Sequence, residues 1–60
     1  MKAELTVEMD NAAFEDNPFE LSRILRELAD TLENDEIKAG KSFALRDLNG
    51  NKVGVLKFND

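Results

Sequence analysis

The sequence predicts an α+β fold of order β-α-β-β: a three-stranded antiparallel sheet, strand order 1-3-2, with one helix packed on one face. Three observations carry this. Residues 3–9 alternate in polarity, residues 18–33 carry an apolar stripe at helical spacing, and an Asn-Gly dipeptide stands between two apolar runs. The 60 residues predict a single domain, 1–60. A helix crossover followed by a hairpin favours the third strand at the centre.

The first strand is predicted from Ala3, Leu5, Val7 and Met9 on one face and Glu4, Thr6 and Glu8 on the other. Period-two alternation over this length fits a half-buried strand of an antiparallel sheet. Residues 10–17 are expected to form a loop, with Phe14 plugging one end of the core.

The helix is predicted from Pro18 to about Glu33. Asn17 is a strong N-cap, Pro18 suits the first helical position, and Glu20 stands where a capping-box carboxylate reaches back to the cap. Glu15, Asp16 and Glu20 also complement the positive end of the helix dipole, which is a structural reason for their clustering. Leu21, Ile24, Leu25, Leu28 and Leu32 form the apolar stripe. Arg23–Glu27 and Arg26–Asp30 are opposite-sign pairs across one turn. Asn34 is expected to close the helix with a left-handed cap.

Gly40 marks the entry to the second strand. Residues 41–48 and 52–58 flank the turn, and a two-residue Asn49-Gly50 connection is preferred. It places Phe43 opposite Leu56 and Leu45 opposite Gly54, with Gly54 relieving crowding against Leu45. A three-residue turn would change the pairing and bring Val53 and Val55 inward. The expected core is Leu5, Val7, Met9, Phe14, Leu21, Ile24, Leu25, Leu28, Leu32, Phe43, Leu45, Leu56 and Phe58.

Composition narrows the function classes. There is no Cys and no His, so thiolate and imidazole chemistry and the common zinc sites are excluded. Ser22, Ser42, Thr6 and Thr31 have no base to activate them, and there is no glycine-rich phosphate loop. Asp47-Leu48-Asn49-Gly50-Asn51 departs from the calcium-loop pattern in the position of its glycine. No enzyme, cofactor or metal site is expected. No apolar run is long enough for a membrane span and the start lacks a secretory pattern, so a cytoplasmic protein without membrane attachment is expected.

The net charge of −5 is uneven. Residues 1–36 carry 11 acids and 3 bases, whereas residues 37–60 carry 2 acids and 5 bases. The acidic half disfavours nucleic acid as a partner, although Lys38, Lys41, Arg46, Lys52 and Lys57 offer a weak basic strip. Asp30, Glu33, Asp35 and Glu36 crowd the negative end of the helix dipole, a local conflict that marks a candidate acidic partner patch.

A chain this short buries a small core and commonly needs a disulfide, a metal or a second copy to support it. The sheet face away from the helix would carry Thr6, Ala44, Val53 and Val55, ringed by Glu4, Glu8, Arg46 and Lys57. An apolar centre inside a polar rim predicts a dimer or partner interface. A homodimer packed sheet on sheet is expected, with edge-to-edge strand pairing as its alternative.

The runs Asp10–Pro18, Ile24–Glu33 and Leu45–Gly54 resemble short uncharacterised proteins of bacteriophages, prophages and other mobile elements. The likeness extends from about residue 5 to 58. The resemblance implies a small accessory or inhibitor protein that binds an unidentified host protein. It implies no activity and transfers no functional residue. An acidic mimic of nucleic acid, using Glu15, Asp16, Glu20, Asp30, Glu33, Asp35 and Glu36 to occupy a DNA-binding protein, is the alternative. Direct nucleic-acid binding through the hairpin ranks below it.

Overall fold

The alternating segment forms strand β1, Lys2–Val7. It is followed by a short helix α1, Ala12–Asp16, the main helix α2, Glu20–Glu33, and strands β2, Ser42–Arg46, and β3, Lys52–Asn59. The computed structural model describes residues 1–60. The sheet has the order β1-β3-β2, and both pairings with central β3 are antiparallel. No helix is long and apolar enough to cross a membrane.

The expected loop at 10–17 is largely helix. Asn11 accepts a hydrogen bond from the Ala13 N–H at 3.0 Å and so caps α1. One turn is too short to show a period, which is why the pattern reads as loop. Phe14 still meets the core, now from α1.

Regular α2 starts at Glu20, two residues later than expected. Asn17 nevertheless organises the entry: its side chain accepts from the Phe19 N–H at 2.9 Å, and its carbonyl accepts from the Glu20 N–H at 3.2 Å. Asn34 does not close the helix in the left-handed conformation; its φ is −109°. Its amide instead donates to the Asp30 carbonyl at 2.9 Å. A side-chain donor thus satisfies a terminal carbonyl, the task a left-handed residue would otherwise perform. The Arg23–Glu27 pair forms at 2.9 Å.

The turn differs from the two-residue form. Asp47 N–H bonds the Asn51 carbonyl at 2.9 Å, so Leu48, Asn49 and Gly50 make a three-residue loop. Only Gly50 takes a positive φ, 86°, whereas the two-residue form needs one at Asn49 as well. The longer loop shifts Arg46 opposite Lys52, and a bulge between Leu45 and Arg46 makes Val53 the extra residue on β3. Beyond the bulge the expected register returns, with Phe43 opposite Leu56 and Leu45 opposite Gly54.

Gly54 is needed for a different reason from the one expected. A Cβ there would stand 2.1 Å from the Thr6 carbonyl oxygen and 3.0 Å from Val7 Cα. The close neighbour is the backbone of β1, not the Leu45 side chain.

Ile24 and Leu28 of α2 pack on Leu45, Val53, Leu56 and Phe58, with Val7, Phe14, Leu32 and Phe43 around them. Phe43 and Phe58 meet edge to face at 6.2 Å. Three expected core residues lie largely outside: Leu5, Met9 and Leu25 are 47%, 48% and 38% exposed. The reason is width. Strands stand about 4.8 Å apart and a helix with side chains is about 10 Å across, so one helix covers about two strands. Here α2 lies over β2 and β3, and no residue of β1 enters the buried core.

Candidate interaction surface

The sheet face away from α2 is crossed by a row of three residues, Thr6 on β1, Val55 on β3 and Ala44 on β2, placed side by side by the two registers. Thr6 and Ala44 are exposed and Val55 is half-buried. The adjacent row is Glu4, Lys57 and Ser42. No helix covers either row. The sequence therefore places Thr6, Ala44 and Val55 together correctly. Val53 is the exception. As the bulged residue it turns into the core and is only 8% exposed, so it does not join the exposed row.

At one end of this face lies an open depression of about 470 Å³, walled by Thr6, Val55, Gly54 and Val53 with Glu8, Asp10, Asn11 and Lys52. Its rim carries three acidic or amide groups and one lysine.

The acidic patch is exposed at all four positions, but its members differ. Asp35 is paired with Lys41, which also donates to the Glu36 carbonyl at 2.9 Å. The Lys41 ammonium, with the Glu36 N–H at 2.8 Å, holds the Asp35 carboxyl below its ordinary value. Asp30, Glu33 and Glu36 form no side-chain ion pair. No three acidic side chains converge in a way that could hold a metal ion.

The basic strip is broken up. Lys41 is engaged with Asp35 and lies 5.4 Å from the centre of the Phe43 ring. Arg46 donates to the Gly50 carbonyl at 3.2 Å. Lys57 sits between Glu4 and Ser42 in the sheet.

Two carboxylates, Glu20 and Asp47, are buried, and the sequence gives no sign of their burial or of their distant partners. Glu20 is 1% exposed. It accepts from Arg23 Nε at 2.6 Å and Nη2 at 3.1 Å, and from the Leu48 N–H at 2.7 Å. It joins the start of α2 to the β2–β3 loop instead of capping its own helix. The Arg23 hydrogen bonds lower its pKa; burial opposes this, and the Leu48 N–H adds to the lowering.

Asp47 is 5% exposed and anchors the loop. Its Oδ1 accepts from the N–H groups of Asn49 and Asn51, each at 2.9 Å, and its Oδ2 from the Asn11 amide at 2.7 Å. Burial pushes its pKa up, but the bonds from Asn51, Asn49 and Asn11 outweigh this and leave it below the ordinary value. An Asp before an Asn-Gly turn is a known turn-former, and that signal was present in the sequence. Its link to Asn11, 36 residues away, had none.

Asn11 therefore serves both α1 and the hairpin loop. Asn11→Ala is expected to cost about 1 kcal/mol through the lost cap alone, with more from the link to Asp47. A urea midpoint unchanged from the parent chain would contradict this.

No family model, curated protein or solved structure matches the chain.

Proposed function

We propose that this chain is a non-catalytic protein-interaction module that self-associates, and that it binds another protein through its open sheet face. The single observation that carries this is the exposed Thr6–Val55–Ala44 row, an apolar strip flanked by Glu4, Lys57 and Ser42 with no element of the chain across it. The resemblance to short phage and mobile-element proteins supports a setting in which the partner is a host protein in the cytoplasm and the module an accessory or inhibitor. The test is affinity capture from host lysate with the parent chain and with Ala44→Arg, a change at an exposed position. A protein enriched by the parent and lost by at least about tenfold with Ala44→Arg, with circular dichroism unchanged, is the expected result. Equal capture by both chains would sink the reading.

A second reading has its own observation. Asp30, Glu33 and Glu36 are exposed and without a paired cation, so an acidic mimic of nucleic acid would present these three while Asp35 is held by Lys41. Capture that survives Ala44→Arg but is lost on Asp30→Asn, Glu33→Gln and Glu36→Gln together would favour it.

A further inference from the structure

The two edges of the sheet are not alike. The β2 edge is short, and the outward-facing carbonyl of Arg46 on it accepts from Arg23 Nη2 at 3.3 Å. A short edge strand with an occupied carbonyl is a poor template for a further strand. β1 has six regular residues, no bulge and no proline. The Glu8 N–H points inward to the Val53 carbonyl at 2.8 Å, so alternation directs the N–H and C=O groups of Ala3, Leu5 and Val7 outward. No loop, cap or side-chain hydrogen bond reaches them.

The apolar side of this strand is also unfinished. Leu5 is opposite Leu56 and therefore lies on the helix side of the sheet, yet it is 47% exposed. Leu25, 38% exposed, projects toward the same margin. It lies on the flank of α2 away from Glu27 and Thr31, which line a cleft of about 100 Å³ against β2.

We propose that β1 is the seam of a symmetric homodimer, pairing antiparallel with β1 of a second copy so that Leu5 stands opposite Leu5. This deepens the self-association proposed above and rests on it. It moves the contact from the sheet face to the edge and leaves the open face for another protein.

The charges select the register. With Leu5 on the two-fold axis, Lys2 meets Glu8 of the second copy, Glu4 meets Thr6, and Ala3 meets Val7. Moving one step either way sets Glu4 against Glu4, or Glu4 against Glu8. Of these three registers, the Leu5-centred one alone brings opposite charges together and like charges nowhere. The same register matches the outward-facing groups of Ala3, Leu5 and Val7, giving about six backbone hydrogen bonds. The resulting sheet runs β2-β3-β1-β1-β3-β2. The two helices rise on one side of it, and both copies of Leu5 and Leu25 fill the valley between them.

The absence of Cys makes the test direct. Facing residues of a hydrogen-bonded pair have Cα atoms about 5.5 Å apart, within reach of a disulfide. Mild oxidation of Leu5→Cys is expected to give a covalent dimer, and Ala44→Cys on the open face is expected to give none. Lys2→Glu, at an exposed position, should weaken association about tenfold at low salt in sedimentation equilibrium, and Lys2→Glu with Glu8→Lys should restore it. A covalent dimer through Ala44→Cys instead of Leu5→Cys would overturn the edge assignment and keep the self-association. A parent chain that sediments as a monomer at high concentration would overturn both.

Discussion

Gly54→Ala is expected to remove most of the chain's stability at room temperature. The added methyl would lie 2.1 Å from the Thr6 carbonyl oxygen and 3.0 Å from Val7 Cα, and both neighbours are backbone. Neither can rotate away as a side-chain tip can, so β1 must separate from β3 or β3 must bend further at its bulge. Strain of this kind costs about 3 kcal/mol. A single small core of this size supplies about 3–5 kcal/mol in total. Gly40→Ala and Gly50→Ala are the controls. Both positions have a positive φ, 89° and 86°, but open space around them, so each should cost only about 1 kcal/mol. Thermal melts followed by circular dichroism would rank the three. Equal losses at all three sites would mean that β1 yields to the added methyl and that its approach sets no requirement for glycine at position 54.

The ranking bears on what was readable in advance. Strand order, the helix stripe and the hairpin were all legible, because each is written in a local period or a dipeptide. The turn length was not: Asn49-Gly50 serves a two-residue and a three-residue loop equally well. The register survived this because the bulge at Val53 absorbs the additional loop residue. The same bulge removed Val53 from the exposed row, so one structural event restored the pairing and altered the surface.

What escaped the sequence was contact between distant parts. Glu20 read as a helix-start carboxylate because that role explained it fully. Its actual partner, the Leu48 N–H, lies 28 residues away. Leu5 and Met9 read as core from polarity alternation and Leu25 from the helical stripe, and each period assigns a face but says nothing of whether another element reaches across to cover it. A single helix over three strands leaves one strand short of cover, and β1 is the strand left here. The small core foreseen from chain length thus takes a definite place, the apolar side of an unblocked edge strand.

Glu20→Gln is expected to destabilise the chain at neutral pH and to change the shape of its acid unfolding. The substitution keeps the volume and an oxygen for the Leu48 N–H but removes the charge that holds Arg23. Glu20 has a folded-state pKa below its ordinary 4.5, so below that value the unfolded chain binds more protons than the folded one. Its contribution is therefore complete above about pH 4.5 and is lost as pH falls toward the lowered folded value. Asp47 behaves the same way from its ordinary 3.8 downward, and Asp35 joins it through Lys41. The parent chain should hold a flat stability from neutral pH to about pH 5 and then lose it in acid. In Glu20→Gln the loss should begin lower, near 3.8, where Asp47 and Asp35 take over. The two chains should converge once Glu20 is protonated in both states, since the parent then also lacks the charge. Urea midpoints between pH 2 and pH 7 give both curves. Parallel curves, with the same difference at every pH, would show that Glu20 acts through packing and that its ion pair with Arg23 contributes nothing.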